Sequence, residues 1–133
     1  MKIATDIEQG KKLAEVLPLE SADNVIVSFG DRFGVKTVVM PKETLDAIKT
    51  PFSDIREIVN CWSLAALLEQ LPYELCDDDG NSSYLEINKE NDVYQLVYED
   101  PYGDFESIET DRYEHFVDAC YEMILKLNEL NLL

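Results

Sequence analysis

At 133 residues, with 46% hydrophobic and 10% aromatic content, the chain can bury a core without disulfide or metal support and is too apolar to stay disordered. Its formal net charge of −17 repels phosphate backbones, which argues against direct nucleic-acid binding, and it attracts basic partners. No apolar run approaches the roughly 18 residues of a membrane span, and the opening Met1-Lys2-Ile3-Ala4-Thr5-Asp6 lacks the apolar core of a secretory leader, so a cytoplasmic single domain over 1–133 is expected, with no membrane partner.

In chain order, Thr5 to Glu8 reads as a capping box, and Ile7, Leu13, Ala14 and Leu17 recur at helical spacing. This predicts a first helix over about 6–17, ended by Pro18, with Gly10 a weak point inside it. Val25–Gly30 and Val35–Met40 are β-rich runs joined by Asp31-Arg32-Phe33-Gly34, a hairpin pattern, and Pro41 stops the second run. Residues 41–60 carry the weakest pattern. A short helix over 41–49 and a loop with a helical turn over 53–59 are favoured there, with a strand as the alternative.

Trp62-Ser-Leu-Ala-Ala-Leu-Leu-Glu-Gln-Leu71 contains the one Trp of the chain. Leu64, Leu67, Leu68 and Leu71 make an i, i+3, i+4, i+7 face, so a helix capped by Asn60 or Ser63 and stopped by Pro72 is expected, packed on more than one side. Tyr73–Cys76, Tyr84–Asn88, Val93–Glu99 and Phe105–Glu109 then read as short strands separated by Asp77–Asn81, Lys89–Asp92 and Pro101–Asp104 turns. Asp111 to Glu114 is a second cap signal. Phe116, Val117, Cys120, Ile124, Leu127 and Leu130 follow at helical spacing, predicting a last helix over about 112–129. The fold class expected is α+β: an antiparallel sheet, built from an N-terminal hairpin and a C-terminal meander, with about three helices on one face. The string L-x-E-x-L-P-x-E occurs at 13–20 and again at 67–74, which raises an internal duplication against the plainer reading that leucine-rich helices stop at proline.

Charge is unevenly spread. Residues 1–56 hold 8 Lys/Arg and 9 Asp/Glu, while 57–133 hold 3 and 19. No catalytic motif stands out. Asp77, Asp79 and Asn81 begin like a calcium loop, but Ser82 stands where glycine is needed and Asn88 where the closing Glu is needed, so an Asp-Gly turn is the simpler account. Cys61, Cys76 and Cys120 with the lone His115 have no metal-ligand spacing. An odd cysteine count without a framework suits a reducing compartment. No catalytic, cofactor or metal site is therefore expected. Acids this abundant make any single carboxylate pair weak evidence for an enzyme.

Three segments carry a resemblance: Ile3–Gln9 continuing through Lys12–Asp23, then Trp62–Pro72, then Val117–Leu130. They resemble a family of small uncharacterised acidic proteins of Bacteroides-type gut bacteria, often found in prophage or mobile-element neighbourhoods. The resemblance covers about a third of the chain and implies no activity and no catalytic residues. The residues themselves favour a non-catalytic interaction module for a protein or peptide with a basic surface. The expected contact surface lies in 73–111, at Asp77, Asp78, Asp79, Tyr84, Glu86, Tyr94, Tyr98, Glu99, Asp100, Tyr102, Asp104 and Glu106. If the meander packs its Leu and Ile side on the helices, those tyrosines divide between its two faces. The alternatives are a nucleic-acid mimic that inhibits a DNA- or RNA-binding protein, a secretion-chaperone-like homodimer, and a small carboxylate enzyme.

Overall fold

The computed structural model describes residues 2–31, 34–45, 47 and 55–133. The class is α+β, with an N-terminal hairpin and a C-terminal meander, both antiparallel. The hairpin and the meander belong to separate sheets. The chain divides into two compact units, Ala4–Ala66 and a second made of Met1–Ile3 with Leu67–Leu133.

In the first unit, helix α1 (Ile7–Leu13) is followed by strands β1 (Asn24–Asp31), β2 (Gly34–Pro41) and β3 (Ile55–Cys61), in the order β2-β1-β3. Strand β1 is central. Val25, Ile26, Val27 and Ser28 are buried in succession, so both of its faces are covered, as a run without polar alternation requires. Proline at the end of β2 is tolerated because β2 is an edge strand.

Helix α1 begins one residue later than expected. Asp6, not Thr5, is the N-cap: its carboxylate accepts from the Gln9 N–H at 2.8 Å, and the Gln9 side chain accepts from the Asp6 N–H at 3.1 Å. Thr5 is used elsewhere. It is buried, its N–H donates to the Trp62 carbonyl and its Oγ1 accepts from the Trp62 N–H, each at 3.0 Å. The helix also ends early, at Leu13, and its last turn tightens through bonds from Glu15 N to Lys12 O and Val16 N to Leu13 O.

The expectation of a loop and helical turn over 53–59 is corrected. Residues 55–61 are strand β3, paired along β1 from Ile55 opposite Phe29 to Cys61 opposite Asn24. Arg56 and Glu57 interrupt the apolar pattern locally. The second edge of β1 supplies the pairing, and that is a non-local fact. Lys42–Thr44 forms a 3-10 turn where a short helix is expected over 41–49; residues 46, 48 and 49, and residues 53–54, lie outside the described residues.

Trp62 follows β3 directly and is fully buried. Its indole N–H donates to Ser21 Oγ at 2.9 Å, and Ser21 Oγ donates in turn to the Pro18 carbonyl at 2.6 Å. The buried ring thus keeps its one polar atom satisfied. Helix α2 (Leu64–Gln70) then starts from Ser63, whose Oγ accepts from the Ala66 N–H at 3.2 Å; Asn60 is inside β3.

In the second unit, strands β4 (Glu74–Cys76), β5 (Ser82–Glu90), β6 (Val93–Glu99) and β7 (Ile108–Glu109) run in sequential order, and helix α3 (Phe116–Glu129) packs against β6. The β5–β6 turn has positive φ at both Asn91 and Asp92, the geometry of a two-residue hairpin turn that suits the twist of the strands. β7 is shorter than the predicted Phe105–Glu109 strand. Helix α3 begins four residues later than predicted because Tyr113 is still paired in the sheet: Tyr94 N donates to Tyr113 O at 2.6 Å and Tyr113 N to Tyr94 O at 2.9 Å. Val117, Cys120, Ile124 and Leu127 of the expected stripe are buried, together with Ala119 and Met123, whereas Phe116 is half-buried and Leu130 is exposed.

The repeated string adopts two conformations. In 13–20 the residues after Leu13 leave the helix as turns, whereas in 67–74 Leu67–Gln70 are helical. The strand orders that follow also differ, so the string does not mark a duplicated unit.

Candidate interaction surface

Strand pairing sorts the meander into two faces. Residues directly opposite in an antiparallel pair share a face, and successive residues alternate. Leu85 pairs with Tyr98, Ile87 with Leu96, and Lys89 with Tyr94. With Leu75, Ser83 and Ile108, these make the face that includes the buried Leu75, Leu96 and Tyr98. On the other face Glu74 stands opposite Tyr84 and Tyr84 opposite Glu99; in the next row Glu86 stands opposite Val97 and Val97 opposite Glu109. Glu74, Tyr84, Glu86, Glu99 and Glu109 are all exposed.

The expected site residues therefore separate into three groups. Tyr94 and Tyr98 turn to the core face. The Tyr98 hydroxyl donates to the Pro72 carbonyl, and burial, with the neighbouring Cys120, pushes its phenol above the ordinary range. The Tyr94 ring lies 4.9 Å from that of Phe116, with the Lys89 ammonium 5.3 Å from its centroid. Neither is a free surface tyrosine.

Asp77 and Asp100 form the second group and organise turns. The Asp77 carboxylate accepts from the Asp79 and Asn81 N–H groups at 3.0 and 2.8 Å and from the Asn81 side-chain amide at 3.0 Å. The Asn81 hydrogen bond, together with those from the backbone, lowers its pKa. Its oxygens are thus used by the turn that replaces the calcium-loop reading, and among the described residues no cluster of acids, His or Cys could hold a metal. Asp100 is buried and accepts from the N–H groups of Tyr102, Asp104 and Phe105 at 2.8, 3.0 and 2.9 Å.

The third group is exposed: Asp78, Asp79, Tyr84, Glu86, Glu99, Tyr102, Asp104 and Glu106. Tyr102 is 89% accessible. Tyr84, Tyr102 and Asp104 line one cleft of about 240 Å³ together with Gly80, Asn81 and Ser82. The Tyr73 ring lies 5.9 Å from that of Tyr84, tilted by 59°. Lys89 and Arg112 sit at the opposite end of the sheet, where they line a separate cleft of about 480 Å³ with Glu90 and Gln95, and Lys126 Nζ donates to the Glu109 carbonyl at 2.6 Å.

Sequence reasoning missed Glu74 and Glu109. Each lies on a short strand whose face is defined only by its partner, Tyr84 in one case and Val97 in the other. It also missed Glu122, which accepts from the Asp111 N–H at 2.9 Å and lies 3.6 Å from Lys126. Burial and its hydrogen bond with Glu122 push the Tyr113 phenol up to about 12.

Cys76 is exposed on β4, opposite Ser82 on the outer face; the other two thiols are not accessible. Cys61 and Cys120 are fully buried, and burial, joined at Cys61 by the charge of Asp23, raises both to about 12; a protonated buried thiol is a poor nucleophile. Among the described residues no helix is long and apolar enough to cross a membrane. Comparison of the chain with family models, with curated proteins and with solved structures finds no match.

Proposed function

We propose that this chain is a non-catalytic binding module of the cytoplasm that takes a protein or peptide with a basic surface on the outer face of its four-stranded sheet. The observation that carries the reading is the placement of the exposed Glu74, Glu86, Glu99 and Glu109 on one face of the sheet, around Tyr84 and the buried Val97. Between 73 and 111 the chain has 13 Asp/Glu and one Lys, and that Lys89 belongs to the opposite face. With Lys126 as the cation beside Glu109, the field on the outer face is predominantly negative, which speeds the arrival of a cationic partner and disfavours anionic ones. Tyr84 and Tyr102 add apolar contact with polar tips, and their rings suit a Lys or Arg side chain placed over them. Asp104 in the same cleft supplies a carboxylate for its charge. Three free cysteines agree with a reducing compartment.

The test is fluorescence anisotropy with a labelled Lys/Arg-rich peptide against a neutral peptide of equal length. Wild type is expected to bind the basic peptide and to lose affinity steeply as salt rises. Glu74→Lys/Glu86→Lys/Glu99→Lys is expected to weaken binding by tenfold or more, about 1.4 kcal/mol, with an unchanged circular dichroism spectrum. Binding that ignores the triple reversal overturns the assignment of the face. Recovery from lysate of nucleic-acid-binding proteins alone would move the reading to mimicry of a phosphate backbone.

A further inference from the structure

Strand β2 is the outer strand of its sheet, and among the described residues no strand lies beyond it. The direction of its polar groups follows from the register. Asp31 stands opposite Gly34 across two residues, and the register runs unbroken to Asn24 opposite Pro41. A two-residue hairpin closes on a hydrogen-bonded pair. Gly34, Lys36, Val38 and Met40 therefore bond to β1, and the bond from Lys42 N to Asp23 O at 3.1 Å continues the same parity. The N–H and C=O groups of Val35, Thr37 and Val39 consequently point away from the sheet.

This edge lacks most of the devices that keep edges apart. It is eight residues long and has no acidic residue in a chain of net charge −17. Its one charge is Lys36, and Val35, Val38 and Val39 are 66%, 43% and 43% accessible. A long, apolar edge is a template for another strand.

We propose that the strand it takes is β2 of a second copy, paired antiparallel about a two-fold axis at Thr37, so that two three-stranded sheets become one of six. The register selects this partner. Centred on Thr37, the outward groups of Val35, Thr37 and Val39 meet those of Val39, Thr37 and Val35 of the second copy, and every outward N–H finds a carbonyl. Val stands opposite Val and Thr opposite Thr, both favourable cross-strand pairs, and Lys36 stands opposite Val38. Moving the axis to Lys36 places lysine against lysine. Moving it to Val38 places Val35 opposite Pro41, which has no N–H to give. Charge agrees: β2 belongs to the front of the chain, where 8 Lys/Arg and 9 Asp/Glu nearly cancel over residues 1–56, so two copies can approach there without the repulsion carried by the rest.

Light scattering on the full chain tests this, with a mass of twice 15.2 kDa expected. Thr37→Glu sets carboxylate against carboxylate at the axis and uses a position whose N–H β1 does not need; a single-copy mass with an unchanged circular dichroism spectrum is expected. A cross-link decides the matter independently of that variant's folding. In a Cys76→Ser background, Thr37→Cys should form a covalent dimer on mild oxidation, because directly paired hydrogen-bonded residues lie about 5.5 Å apart at Cα, within the disulfide range of roughly 4.4–6.8 Å. Lys36→Cys, which faces Val38 across the axis, should not. A wild-type chain of single-copy mass up to about 1 mM, where a Kd of that order would still pair half the molecules, overturns the proposal. So does a Thr37→Glu variant that stays dimeric, or a Thr37→Cys variant that does not cross-link.

Discussion

At the scale of the residue, Gly10 shows how a local rule and a tertiary contact oppose each other. Inside a helix glycine is about 1 kcal/mol worse than alanine, so the sequence argues for replacing it. The structure argues against it. A Cβ at Gly10 would collide with the Asn60 carbonyl and come within 3.2 Å of Val59 Cγ1. The carbonyl is strand backbone and cannot step aside. Overpacking of this kind costs roughly 1–3 kcal/mol, more than the helix gains. Gly10→Ala is therefore expected to lower stability by about 1 kcal/mol in a urea titration; an increase would show that α1 can lift from β3 without loss.

At the scale of the element, helix α2 is held at its start by a chain of hydrogen bonds that begins outside it. Asp23 accepts from the Ser63 N–H at 2.9 Å and from the Ser63 hydroxyl, and Ser63 Oγ accepts from the Ala66 N–H. Desolvation raises the Asp23 pKa, the bonds from Ser63 and Asn24 lower it, and the lowering wins. A folded pKa below the unfolded one contributes stability that is present above the unfolded value, about 3.9. That stability is lost as pH falls from there through the folded value. The carboxylate is largely in solvent, so its ionic share is small. Asp23→Ala is expected to cost about 1 kcal/mol at pH 7, as a lost cap does, and less at pH 3. An equal cost at both pH values, measured by denaturant titration, would mean that the ionised form has no part in the anchor.

At the scale of the whole molecule, charge dominates. The net −17 includes 19 acids against 3 cations in residues 57–133, and self-repulsion of that size destabilises a compact state. Only four ion pairs are found among the described residues, and most of their side chains are well exposed, so internal neutralisation is slight. Salt should therefore stabilise the chain. Going from about 10 mM to about 500 mM NaCl cuts the screening length from about 30 Å to a few Å and should raise Tm by roughly 2–5 °C. A Tm that stays level or falls with salt would show that the acids are already compensated in the fold.

Much of this was legible beforehand. The α+β class, the hairpin over 25–40, the meander and the buried stripe of the last helix follow from periodicity and turn residues, because those signals are local: side chains repeat every two or 3.6 residues whatever they meet. What the sequence left open is what depends on partners far along the chain. Thr5 caps no helix because Trp62 claims it. Residues 55–61 form a strand because β1 has a second edge to fill. Tyr113 stays in the sheet because Tyr94 lies opposite, and so α3 starts late. The candidate surface divides in the same way. Composition alone showed that 73–111 is acidic and rich in tyrosine. Only strand pairing decided that Tyr94 and Tyr98 face the core while Glu74, Tyr84, Glu86, Glu99 and Glu109 share the outer face, since a face is a property of register, and register is set between strands rather than within one.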